Sequence, residues 1–304
     1  MLIKEIDDCL TELCTVIKGK NEQVTLALIC LLAKGHLLLE DLPGMGKTSL
    51  SHALASVLGL AYKRVQFTSD LLPADILGVN IYNSDNQQFS FHAGPIFSQV
   101  LLADEINRAS PKTQSALLEA MAEQQVSVDG VSHILPSPFF VIATQNPLFQ
   151  AGTYPLPESQ VDRFMMCLTL GYPDFQAEKD MLCQQASEDL VSQQMSASYL
   201  LDAQARVKQV KVSEALVHYI LNLVRYTREN DEFQHALSPR ASKAILRCSQ
   251  AAAFVQGRDH VIPEDVQMII PAVTEHRLRG AEPFSREHGS LANKLLSQVD
   301  PMAA

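Results

Sequence analysis

Leu37-Leu38-Leu39-Glu40-Asp41-Leu42-Pro43-Gly44-Met45-Gly46-Lys47-Thr48 is the stretch on which the reading of this chain turns. The leucines read as a short buried strand, Pro43, Gly44 and Gly46 break it, and an Ala/Leu-rich helical pattern follows from Ser49 to Leu58. Strand, glycine-rich turn and helix in that order are the setting of a phosphate-binding loop. Backbone N–H groups of the turn and of the helix start face a polyanion there, and the helix dipole favours it. The expected loop comprises Asp41, Leu42, Pro43, Gly44, Met45, Gly46, Lys47, Thr48 and Ser49. Lys47 would reach the β- and γ-phosphates and Thr48 would hold Mg²⁺. Where the general pattern opens with Gly, this chain has Asp41, a residue type that tolerates unusual φ/ψ at a turn. The expectation is a nucleoside triphosphate site.

A second segment completes it. Val100-Leu101-Leu102-Ala103 is an apolar strand that ends in Asp104-Glu105. An acidic pair at a strand end is common surface chemistry, but behind a phosphate loop it is the second half of an ATPase. Asp104 would bind Mg²⁺, and Glu105 would orient and deprotonate the attacking water. Phe139 to Thr144 is a further buried strand leading into Gln145-Asn146-Pro147. Asn146 could touch the γ-phosphate or the water, or simply start an Asn-Pro turn.

The bulk numbers bound the rest. A chain of 304 residues with 47% hydrophobic content suits one large unit or two domains. A net charge of −10 argues against nucleic acid or an anionic membrane as the main partner. The six cysteines form no C-x-x-C pair and read as reduced, partly buried thiols. The start of the chain has no basic region followed by an apolar core, and the longest apolar run, Leu26 to Ala33, is too short to span a bilayer. A cytoplasmic protein is expected.

Along the chain, Ile3, Ile6, Leu10, Leu13 and Ile17 mark an amphipathic first helix, Gly19 breaks it, and a second helix covers Asn21 to Leu32. Tyr62 to Phe67 reads as a strand, and Ser69 to Ile76 as helix or turn. Hairpins are expected over 79–91, about a polar turn at 83–86, and over 126–133, with Asp129-Gly130 as the turn. Pro111 to Gln124 is a helix between them, and Met165 to Leu170 a last strand. Beyond it the pattern is helical, over 175–186, 213–228, 240–255 and 263–274. The chain thus divides near Gly171 into an α/β part, 1–172, and an all-helical part, 173–304. Ser238-Pro239-Arg240 opens one of these helices and places Arg240 in a first turn, where the dipole does not favour a cation. That placement suits a phosphate partner, or a surface carboxylate.

Together these segments resemble the MoxR family of AAA+ ATPases. The resemblance rests on Gly35-His36 with the loop through Thr48, Gly94-Pro95-Ile96-Phe97, Ala-Asp-Glu-Ile-Asn-Arg-Ala at 103–109, Lys-Thr-Gln-Ser-Ala-Leu-Leu-Glu-Ala-Met at 112–121 and Ala-Thr-Gln-Asn-Pro at 143–147. Gly-Thr-Tyr-Pro-Leu-Pro-Glu at 152–158, Asp-Arg-Phe at 162–164, Ser-Pro-Arg-Ala at 238–241 and Gly-Arg-Asp at 257–259 continue it. It implies a P-loop core with two inserted β-hairpins, a helical lid, and a hexameric ring with ATP at subunit interfaces. By position, Lys47 and Thr48 would be Walker A, Asp104 and Glu105 Walker B, and Asn146 sensor 1. Arg240 would be sensor 2, and Arg163 an arginine finger acting on the neighbouring subunit. Ile17 and Gly19 lie where the family contacts adenine. Similar proteins are chaperone-like ATPases that mature partner complexes, often with a von Willebrand factor A (VWA) domain protein and sometimes during metal-cofactor insertion.

Other readings fit less well. A nucleic-acid motor needs Lys or Arg on its tracking loops, and residues 79–91 and 126–133 contain none. A magnesium-chelatase-like subunit shares the fold. A scaffold that binds ATP without turnover is opposed by Glu105, Asn146, Arg163 and Arg240, and has only the Asp41 departure in its favour. A small-molecule kinase lacks any sign of a second substrate pocket.

Overall fold

The computed structural model describes residues 2–85, 87–146, 153–183, 192–279 and 290–301. Two helices, α1 (Leu2–Val16) and α2 (Asn21–Leu32), lead into β1 (Leu37–Glu40), the phosphate-loop candidate and α3 (Lys47–Val57). Next come β2 (Tyr62–Gln66), α4 (Pro73–Leu77), the hairpin β3 (Gly78–Asn83) and β4 (Gln88–Ala93), then β5 (Val100–Asp104) and α5 (Pro111–Glu123). A second hairpin, β6 (Gln125–Val128) and β7 (Val131–Ile134), precedes β8 (Phe140–Gln145), the short α6 (Glu158–Val161) and β9 (Met166–Leu168). The rest is helical: α7 (Phe175–Cys183), α8 (Ala197–Val207), α9 (Glu214–Glu229), α10 (Pro239–Val255), α11 (Pro263–Leu278) and α12 (Leu291–Gln298).

Five parallel strands form one sheet in the order β2-β5-β8-β1-β9. Its central strands are apolar up to their C-terminal ends because helices cover both faces. Alternate residues therefore enter different cores. Leu37, Leu39, Val100, Leu102, Phe140 and Ile142 join a cluster with the N-terminal helices, α3 and the C-terminal helices. Leu38, Leu101, Ala103, Val141 and Ala143 join a smaller one with Ile76, Leu117, Leu118 and Met121. The larger cluster runs without a break from Leu13 through Leu54 to Leu223, Ile245, Val273 and Leu295.

The hairpins stand apart from this sheet. At the tip of β6–β7, Asp129 and Gly130 both have positive φ (49° and 81°), as a two-residue type I′ turn requires. Asn80 of one hairpin donates to Asp129 of the other (2.7 Å), and Phe91 stacks on His133 with ring centroids 3.8 Å apart. Val79, Ile81, Tyr82, Phe89, Val131 and Ile134 are exposed on them.

Three helices escape a reading of the sequence: α6, α8 and α12. The amphipathic runs of α8 and α12 are short and lie between polar segments, and each is ordered by the side it packs into the larger cluster, through Leu200 and Ala203 and through Ala292 and Leu295. α11 also runs past Thr274, and the added turn buries His276 and Arg277. The 175–186 helix is seen over Phe175–Cys183, and its last residues lie outside those described.

Before β1, the buried His36 accepts the Val141 N–H at Nδ1 (3.0 Å), and burial pushes its pKa down from 6.5 to about 4. Burial also lowers the pKa of His276 well below the ordinary value. Between those two values the unfolded chain binds a proton at residue 36 that the folded chain refuses, so stability falls as pH falls through this window. Urea unfolding at about pH 7 and about pH 5.5 should show about 1 kcal/mol lost on account of His36, and His36→Gln should remove that share. A wild-type stability that is flat across the interval would contradict this.

Candidate nucleotide site

The loop between β1 and α3 has the backbone that a phosphate cradle needs. Gly44 and Gly46 both sit at φ +84°, and a Cβ on either would meet nothing within 4 Å. Left-handed backbone requires glycine here, and the space beside it is open. α3 begins at Lys47, two residues earlier than the helical pattern indicates, and no side chain caps it. Its first-turn N–H groups therefore carry the partial positive charge that attracts an anion. The Lys47 ammonium folds back on the loop, donating to the carbonyls of Asp41 and, at 3.1 Å, Leu42. Burial lowers its pKa, while Asp41, Asp104 and Glu105 pull it back up.

Asp41 is not there for its turn conformation. It is absent from the residues with positive φ, and its buried carboxylate accepts two backbone N–H groups instead. Leu42 donates to Oδ1 at 2.8 Å, and Gly171, beyond β9, donates to Oδ2 at 2.6 Å. The acid ties the loop base to the segment that follows β9.

Asp104 and Glu105 end β5 beside this loop. The buried Thr144 on β8 joins them: its hydroxyl donates to Asp104 Oδ1 (2.7 Å) and accepts the Glu105 N–H (2.8 Å). Asp104 Oδ2 accepts Arg64 at 2.6 Å, and Glu105 Oε2 accepts Gln66 at 2.8 Å and Arg108 at 2.9 Å. Glu105 holds left-handed backbone, φ 55° and ψ 50°, a conformation that costs a non-glycine residue about 1–2 kcal/mol and clusters at functional positions. Asn146 follows β8 at the same edge of the sheet, and its carbonyl accepts from Asn107 (3.3 Å). Pro147 lies outside the described residues.

Thr48 and Asp104 offer the hard oxygen donors that Mg²⁺ prefers. Among the described residues no group of three or more His, Cys, Asp or Glu could hold a metal alone.

Ile17 is buried, and Gly19 (φ +70°) packs so closely on Asp174 that an added Cβ would lie 3.1 Å from its Oδ2. Lys20 donates to the Tyr172 carbonyl (2.6 Å), next to the Gly171 that holds Asp41. Gly19 therefore lies near the segment that holds Asp41.

Arg163 and Arg240 do not join Lys47. They line a cavity with Gly35, His36 and Met165, which precede β1 and β9, so they sit at the N-terminal edge of the parallel sheet. The loop follows β1 at the other edge. Arg163 donates to the Leu118 carbonyl (2.7 Å), and Arg240 lies 3.5 Å from Asp162 Oδ2. Arg240 thus lies on the edge of the sheet opposite the loop. A long-range contact sets this: Ser238, which caps α10, also donates to Asp162 (3.2 Å) and draws the helix start to that edge.

Residues 36–166 match the ATPase family associated with various cellular activities (AAA), and residues 225–296 match the AAA lid domain. The chain is 40% identical to Chaperone MoxR1 of Mycobacterium tuberculosis over 91% of its own length and 76% of that protein's. It is 44% identical to the uncharacterized protein YeaC of Bacillus subtilis, over 93% of this chain and 89% of that one. The crystal structure of an ATPase candidate from Cytophaga hutchinsonii superposes with a TM-score of 0.87 at 36% identity, covering 98% of this chain and 95% of that one. The chain belongs to the MoxR family of AAA+ ATPases.

Within this MoxR fold, several site residues were not singled out from sequence: Arg64, Gln66, Thr144, Glu40, Arg277 and Arg279. Arg64 and Gln66 alternate along β2, so both reach the acidic strand end, and that spacing was a usable signal. Arg279, which pairs with the buried Glu40 at the end of β1, left none.

If Asp41 acts as a tie, Asp41→Gly, which restores the general motif, should lower stability by about 1–3 kcal/mol. It should also weaken nucleotide binding, read by titration with a fluorescent nucleotide. Tighter binding at unchanged stability would show that the acid only fills the position.

Proposed function

We propose that the chain hydrolyses ATP at interfaces between copies of itself in a ring, six-membered by family analogy, and uses that turnover to remodel or mature a protein partner. One observation carries the reading. The loop, Asp104 and Glu105 gather at one edge of the sheet, whereas Arg163 and Arg240 gather around Asp162 at the other. A chain built this way holds both halves of a catalytic site, but not of the same one.

In this mechanism Lys47 and the first-turn N–H groups of α3 neutralise the phosphates. Glu105, fixed through its own N–H on Thr144, takes the proton of the attacking water. Asn146 orients that water or the γ-phosphate. Mg²⁺, held by Thr48 and Asp104 with phosphate oxygens, would supply charge neutralisation. Arg163 and Arg240 of an adjacent copy would stabilise the transferred group, a contribution worth about 10³–10⁵ in rate where an arginine finger is known. Ile17 and Gly19 would flank the base. The α/β part, 1–172, and the helical part, 173–304, would change their relative angle with nucleotide state.

The partner reading rests on the hairpins. They expose Val79, Ile81, Tyr82 and Phe89 and carry no Lys or Arg, which suits a protein surface rather than a nucleic-acid backbone. A VWA-domain protein, or an enzyme receiving its metal cofactor, is the class of partner the family implies. Among the described residues no helix is long and apolar enough to cross a membrane.

Steady-state ATPase of wild type, Glu105→Gln and Arg163→Ala, each with mass determination in ATP, tests the proposal. Glu105→Gln should trap an ATP-bound ring, and Arg163→Ala should bind nucleotide while losing turnover. Wild type that assembles yet hydrolyses no faster than Glu105→Gln would instead mark an ATP-dependent scaffold.

A further inference from the structure

The cavity at the N-terminal edge of the sheet holds more positive charge than Arg163 and Arg240 account for. It encloses about 360 Å³, within the range of small-ligand pockets, about 300–1,000 Å³. Lys34, Arg163, Arg240, Lys243, Arg247 and Arg277 line it against one acid, Asp162. The remaining ionisable group, His36, is kept neutral by burial. This concentration of cations stands on a chain whose net charge is −10.

Asp162 is already committed. Arg277 donates to its Oδ1 (2.8 Å), and Ser238 and Arg240 share its Oδ2. Among the described residues no carboxylate pairs with Lys34, Lys243 or Arg247, so within the cavity Asp162 alone opposes the six cations. Partial burial lowers the Lys34 pKa, and the nearby charges of Lys208 and Arg247 lower it further. Like charges gathered in a concave site without counter-ions are unfavourable in isolation, and an anion relieves the cost.

The spacing indicates its shape. Arg240, Lys243 and Arg247 fall at i, i+3 and i+7 of α10, so they form one stripe along about 10 Å of helix. That is longer than a single phosphate group and suits a linear chain of them.

We infer that this cavity receives the polyphosphate of a nucleotide held by a second copy of the chain, with Lys243 and Arg247 as further phosphate contacts beside Arg163 and Arg240. The inference rests on the interface ATPase proposed above and adds residues to it. Lys243 and Arg247 are exposed, so replacing them leaves the core intact. A free oligophosphate shares the same chemistry, and the test separates the two sources.

The variant Lys243→Gln/Arg247→Gln should bind nucleotide at its own loop like wild type while its turnover falls about ten- to a hundredfold, the size of one or two lost charge-assisted hydrogen bonds. Mixing it with Lys47→Ala decides the source. Lys47→Ala subunits lack the loop lysine but carry an intact cavity, so mixed assemblies should hydrolyse faster than the sum of the two variants alone. The inference is overturned if the double variant turns over like wild type. It is also overturned if mixing restores nothing while tripolyphosphate binds wild type, as measured by calorimetry, and not the double variant, because the cavity's anion is then a free one. If Lys47→Ala and Glu105→Gln themselves hydrolyse as fast as wild type, it is the interface ATPase that fails, a result distinct from the other two.

Discussion

A buried guanidinium holds the two halves of this molecule in their relation. Arg277 is 5% exposed, and its N–H groups are spent on Asp162, on the carbonyls of Phe164 (2.7 Å) and Met165 (3.2 Å), and on Val273 of its own helix. Burial pushes its pKa down and Asp162 pulls it back. Placing a charge there costs several kcal/mol unless each donor is matched, so the segment entering β9 has little freedom to move away from α11. That segment contains Arg163, and the carboxylate that Arg277 fixes is the one that collects Ser238 and Arg240. The geometry of the cationic cavity thus follows from one satisfied ion pair.

At the opposite edge the constraint is different in kind. β1 is apolar on both faces, so the loop that follows it hangs from an immobile strand. Its last residue, Glu40, pairs with Arg279, and the next, Asp41, accepts the Gly171 N–H. A phosphate cradle must keep its backbone amides convergent without a ligand, and these two ties do that from outside the loop. The left-handed Glu105 is held by the Thr144 hydroxyl, which orients Asp104 and Glu105 with one side chain.

These ties mark the limit of what the sequence makes legible. The strand, the glycine turn, α3, the acidic strand end and the Asp129-Gly130 hairpin rest on neighbours within a few residues, and each is found within two residues of where the pattern places it. The role of Asp41 is not local: its partner is 130 residues away, and that of Glu40 is 239 away. The same holds for Arg240. Its helix start was readable from Ser238-Pro239, but the edge of the sheet it faces depends on Asp162, 78 residues earlier. Local chemistry announces that an arginine at a helix start seeks an anion. Which anion, and on which side of the sheet, is decided by long-range packing.

That division has a consequence for how such a chain could be regulated. Arg163 is engaged by the Leu118 carbonyl and Arg240 by Asp162, so within one chain both are already partnered and remote from Lys47. A phosphate arriving from a neighbour must compete with a neutral carbonyl for the first and with a carboxylate shared among three donors for the second. Neither competitor is strong, since an exposed, 3.5 Å ion pair such as Arg240–Asp162 contributes at most about 1 kcal/mol. In the proposed assembly the arginines would thereby be kept in position at small cost and released to a triphosphate. Under the proposed ring, assembly rather than any rearrangement within the chain would complete the site, and idle subunits would be spared unproductive hydrolysis by the fold itself.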